Sequence, residues 1–96
     1  MPKTTEITSN DLAIISRLPT LNIAGIAGII SHNWKGVNYA ARPYLDAMYS
    51  LDRVTDSYGM DSGKGIILYF LNNASTYRGV IAKEVKKELK KRCGVK

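Results

Sequence analysis

The chain has 96 residues, 45% of them hydrophobic and 23% charged, which suits one soluble folded domain and excludes a disordered chain. A single cysteine, Cys93, and a single histidine, His32, exclude an internal disulfide framework and a four-ligand structural zinc site. Lysine and arginine outnumber aspartate and glutamate by 14 to 8, a formal net charge of +6.

The segment from Met1 to Glu6 lacks the charged-then-apolar pattern of a signal peptide, and residues 1–8 are expected to be flexible. Thr8-Ser9-Asn10-Asp11 then offers N-cap candidates for a short helix through Leu18, which Pro19 stops. Thr20 or Asn22 can cap a second helix, where Ile23, Ile26, Ala27, Ile30 and Trp34 share one face. Leu21 and Ile29 lie off that stripe. The helix is apolar enough around its circumference to be central, and its longest apolar stretch, residues 23–30, is far short of the roughly 20 residues that span a membrane. Gly25 and Gly28 weaken it, and a closely crossing neighbour helix over Ala24 and Gly28 would explain them. Gly36 is expected as its left-handed C-cap.

Pro43 suits the first turn of a third helix, with Ala41, Tyr44, Leu45, Met48 and Leu51 at helical spacing. Thr55 to Gly59 reads as a loop. Asp61 or Ser62 caps a fourth helix facing the core with Ile66, Ile67, Phe70, Leu71 and Ala74. Ser75 or Thr76 is expected to cap a fifth, in which Tyr77, Ile81, Val85, Leu89 and Cys93 repeat every four residues and Gly94 marks the end. Residues 90–96 are expected to fray. No segment shows sustained period-two alternation. The fold class expected is all-α: a compact bundle of about five short helices forming a single domain over residues 1–96.

The charge is segregated. Residues 1–77 carry six cations and six carboxylates, whereas residues 78–96 carry eight cations against Glu84 and Glu88 alone. Lys83, Lys86, Lys87, Lys90 and Lys91, with Arg78 ahead of them, form a stripe that can track phosphates and release counterions. An acidic protein surface is a second partner for it. The same lysines also fit a solvated helix end, favoured by the helix dipole and by Glu88 three and four residues before Lys91 and Arg92. A helix-turn-helix with Ile66–Leu71 and Thr76–Leu89 as its helices has the right proportions, but most charge lies at the wrong end of its second helix.

Residues 59–65, Gly-Met-Asp-Ser-Gly-Lys-Gly, miss the phosphate-loop pattern by one residue and lack its hydroxyl after the lysine. His32 has no orienting carboxylate or nucleophile near it in sequence, and Cys93 has nearby lysines able to lower its pKa but no partner base. No catalytic residue, metal site, cofactor or small-molecule substrate is expected, so the chain reads as a non-enzyme. Six tyrosines and Trp34 stand against one phenylalanine, an excess of rings with polar tips that suits either a sealed core rim or an interaction surface. Trp34, Tyr39, Arg42 and Tyr44 are the candidates for binding a protein through that surface.

Three stretches, Trp34–Met48, Tyr58–Ser62 and Tyr69–Gly79, resemble small proteins of unknown function encoded by bacteriophages and prophages, across roughly residues 30–90. The resemblance transfers no activity and no functional residue. It implies an accessory protein working in the cytoplasm of a bacterial host. Taken with the charge, it gives two expectations: a nucleic-acid or polyanion binder using the last helix, or a protein-interaction or inhibitory module using the aromatic surface.

Overall fold

Capping chemistry decides where the first helices begin. A computed structural model describes residues 8–94, so the expectations for residues 1–7 and 95–96 lie outside the described residues. Helix α1 (Ser9–Arg17) starts at Thr8, whose hydroxyl accepts the Asp11 N–H while the Asp11 carboxylate accepts the Thr8 N–H. This reciprocal box satisfies two donors that the first turn leaves free. Thr8 thus caps a helix rather than ending a flexible lead. A 3-10 turn over Leu18–Thr20, with Pro19 in it, redirects the chain.

Helix α2 (Ile23–Asn33) is capped by Asn22, whose side chain accepts the Gly25 N–H at 2.7 Å. Two further N–H groups at that end donate to the main chain of the segment after the third helix, Ile23 to Asp52 and Ala24 to Leu51. The expected stripe is correct: Ile23, Ile26, Ala27, Ile30 and Trp34 are all buried. Two expectations for this helix fail. Trp34 in extended geometry ends it, and Gly36 has no positive φ. Among the described residues no helix crosses Gly28, where an added Cβ would meet nothing within 4 Å, and at Gly25 it would meet first the Asn22 cap and Leu21.

Helix α3 (Arg42–Met48) carries Pro43 in its first turn and buries Leu45, Ala47 and Met48. The expected loop after it contains a short hairpin, β1 (Ser57–Tyr58) antiparallel to β2 (Asp61–Ser62). Two-residue strands are too short to show alternation in a sequence, and Gly59, at φ +61°, supplies the tight turn. Helix α4 (Gly63–Asn72) follows with Ser62 as its N-cap. Gly63 is required by close approach: a Cβ there would stand 2.8 Å from the carbonyl oxygens of both Val54 and Asp56.

That approach depends on Asp56, whose carboxylate accepts the N–H groups of Asp52 at 2.9 Å and Arg53 at 3.0 Å. The bond from Arg53, then that from Asp52, holds its carboxyl below the ordinary carboxylate range. Because the folded pKa lies below the unfolded one, this contribution is complete above the unfolded value and disappears as pH falls through the folded value. Asp56→Asn is therefore expected to melt below the wild type at neutral pH, with the two melting temperatures converging in acid. A gap that stays constant with pH would contradict the assignment.

Helix α5 (Val80–Arg92) begins later than expected, after Gly79 and without a side-chain cap, so neither Ser75 nor Thr76 starts it. Its buried row is nevertheless the expected one: Ile81, Val85, Leu89 and, just beyond the helix, Cys93. Gly94 closes it with φ +76°. Helices α1 and α2 both pack on α5, and α3 joins α2 to α4. The architecture is a compact all-α bundle, with the hairpin as its only β structure among the described residues.

Candidate nucleic-acid interface

Buried apolar residues fix the rotation of α5 and therefore which charges point outward. At 100° per residue, Lys83, Lys87, Lys90 and Lys91 fall within an arc of roughly 100° opposite the buried row, over about 12 Å of helix. All four are exposed. Among the described residues the ion pairs are Arg53 with Asp52 and Arg92 with Glu88, so none of these four ammonium groups is paired. Among the described residues no carboxylate of the body pairs with the stripe. Glu84 and Glu88 sit at one edge of the arc, lining a crevice against Ile15 and Leu18.

The other edge belongs to Lys86, and its role differs from that of its neighbours. Its Nζ donates to the Tyr77 carbonyl at 2.6 Å and stands 5.8 Å from the centre of the Tyr77 ring. Burial lowers its pKa first, with Lys90 and Arg78 adding like-charge repulsion. Lys86 thus ties α5 to its own lead-in while contributing to the local positive field. Arg78 is exposed, its Nε donating to the Ser75 carbonyl at 3.4 Å, and among the described residues it has no ion-pair partner.

Arg92 is likewise structural. It donates to Glu88 at 2.8 Å and to the Leu18 carbonyl at 2.7 Å, joining the last turn of α5 to the 3-10 turn. Sequence spacing allowed Glu88 to meet either Lys91 or Arg92; the carbonyl of Leu18, 74 residues away, decides for arginine, which can make both bonds.

The aromatic candidates separate. Trp34 is 7% exposed and cannot anchor a partner on the surface. Its ring stacks on Tyr77 at 5.0 Å and meets Phe70 edge-on at 6.2 Å, inside the core. Tyr77 is itself buried, donating its hydroxyl to Asn33 at 2.9 Å. Tyr39 is 92% exposed, Arg42 is exposed, and Tyr44 is half-buried against the exposed ring of Tyr69 at 5.5 Å. Asn38, which sequence reasoning passed over, shapes that loop: it accepts the Ala41 N–H and donates to the Asn73 carbonyl.

Cys93 is buried, and burial pushes its thiol up despite Lys64, opposite to the lowering expected from nearby lysines. The helix-turn-helix reading also loses its proportions, because α4 and α5 are separated by residues 73–79, about twice the usual 3–4-residue turn. Among the described residues no group of three or more His, Cys, Asp or Glu could hold a metal ion. No described helix is long and apolar enough to cross a membrane.

Fold and surface together define a helical domain with a concentrated cationic edge. No family model, curated protein or solved structure matches the chain.

Proposed function

We propose that this is a small non-enzymatic protein that binds nucleic acid, or a polyanion of similar charge density, on the Lys83–Lys91 face of α5. The observation that carries this reading is the outward arc of Lys83, Lys87, Lys90 and Lys91, unpaired among the described residues, on an otherwise charge-balanced body. Duplex DNA presents about one charge per 1.7 Å of axis, so a 12 Å row of ammonium groups faces several phosphates at once. Lysine point charges track a backbone; they do not read base edges, for which arginine and asparagine are the usual side chains. Arg78 extends the row, and Lys86 strengthens its field from the edge. The setting that accompanies this function is the cytoplasm of a bacterium carrying a phage or prophage.

A second reading, a protein-interaction or inhibitory module, is favoured by the exposure of Tyr39 beside Arg42 and the Tyr44–Tyr69 pair. Purification from cell extract with and without nuclease separates the two. Binding through α5 gives a preparation that carries nucleic acid at low salt and loses it on nuclease treatment or at high salt. A nucleic-acid-free preparation that shifts no duplex at low salt would overturn the first reading. A protein companion that survives nuclease and is lost in Tyr39→Ala would establish the second.

A further inference from the structure

Helices α1 and α2 rest side by side on α5 but leave an open groove of about 620 Å³ between them. Gly25 and Gly28 of α2 form its floor, and Ile14, Leu21 and Ile29 give it apolar walls. Helix α1 buries none of its residues, so the side of α1 that carries Ile14 is incompletely packed. Nothing among the described residues requires glycine at Gly28: its backbone is ordinary helix and a Cβ would meet nothing within 4 Å. A mid-helix glycine is unfavourable unless something approaches closely, and among the described residues nothing does.

The rim is formally positive by one charge, Arg17 and Lys35 against Asp11. Arg17, His32 and Lys35 border the groove, and neither Arg17 nor Lys35 is ion-paired among the described residues. Asp11 is the one carboxylate there, and it is held by the Thr8 N–H in the α1 cap.

We propose that this groove receives an amphipathic helix of a partner protein, with an apolar ridge laid over Gly28 and acidic side chains flanking it toward Arg17 and Lys35. Absent side chains at Gly25 and Gly28 let a helix backbone come close, and Ile14 and Ile29 then close on its ridge. Charge complementarity selects an acidic occupant. It also disfavours a second copy of this chain, whose formal net charge is +6.

The test uses the full chain and two synthetic helical peptides with leucine at i, i+3, i+4 and i+7, one filled out with glutamate and one with lysine. The glutamate peptide is expected to bind, shifting the amide resonances of Ile14, Gly25, Gly28 and Ile29, while the lysine peptide does not. Gly28→Leu fills the groove from a position with open space, so it should fold and melt at or above the wild type yet bind at least tenfold more weakly. Arg17→Glu with Lys35→Glu should invert the preference between peptides. Removing the exposed lysines of α5 should leave these groove shifts in place. Absence of binding, shifts confined to α5, or equal binding by Gly28→Leu would overturn the proposal. So would concentration-dependent self-association abolished by Gly28→Leu, which would assign the groove to a second copy.

Discussion

Trp34→Ala is expected to remove a large part of the stability of this domain. Truncating a buried tryptophan costs about 3–5 kcal/mol. A domain of this length holds only about 5–14 kcal/mol in total. Trp34 stacks on Tyr77 and meets Phe70 edge-on, so one ring joins the end of α2 to α4 and to the lead-in of α5. The cavity left behind would border two fully buried rings whose positions are fixed elsewhere, Tyr77 by its bond to Asn33 and Phe70 by α4. Collapse around it is therefore limited, which places the loss toward the upper half of that range. At about 4–8 °C per kcal/mol for a chain of this size, a loss in that upper half lowers the melting temperature by roughly 16–40 °C. Tyr39→Ala, at an exposed position, should change stability by less than about 0.5 kcal/mol. Thermal melts of the two variants check both statements, and a Trp34→Ala melt close to that of the wild type would contradict the stacked core.

The second large effect separates binding from folding. Replacing Lys83, Lys87, Lys90 and Lys91 together by glutamine keeps an unbranched polar side chain and helix propensity while lowering the formal charge from +6 to +2. None of the four is ion-paired among the described residues, and their mutual repulsion is relieved, so the melting temperature should hold or rise slightly. Duplex DNA affinity at about 50 mM salt should fall roughly 100-fold or more, because four phosphate contacts and their counterion release are lost. Lys86 is left in place because it bonds the Tyr77 carbonyl; Lys86→Ala mixes a packing loss with a charge loss. Retained affinity in the quadruple variant, with its fold intact, would dissociate α5 from polyanion binding.

The two outcomes reflect how much of the molecule could be read from its sequence. Trp34 carried two conflicting signals: it continues the stripe of Ile23, Ile26 and Ile30, and it stands in sequence beside Tyr39 and Tyr44. Helical period placed it in the core, and that local rule prevailed over proximity along the chain. Tyr39 did reach the surface, because the loop after α2 has no period to obey, and Arg42 did so as the exposed first residue of α3. Charge segregation was legible for the same reason that α5 was legible, since a helix that buries Ile81, Val85 and Leu89 must turn the intervening lysines outward.

Tertiary partners were not legible. Nothing near Lys86 or Arg92 in sequence shows that one meets the Tyr77 carbonyl and the other the carbonyl of Leu18. Gly28 was visible as an anomaly, but its meaning depended on whether a helix of this chain lay over it, and the packing of α1 and α2 on α5 leaves that space open. The start of α5 was misjudged for a local reason. Ser75 and Thr76 resemble caps, yet Tyr77 is needed under Trp34, and the chain does not turn into the helix until Gly79.

The most direct measurement of the α5 account is the salt dependence of duplex DNA binding by the wild type and by the four-glutamine variant. With four or five phosphates contacted, the logarithm of the wild-type association constant should fall with the logarithm of salt concentration at a slope of about −4, and the variant slope should approach zero. A flat wild-type slope, or an equal slope in both proteins, would contradict it.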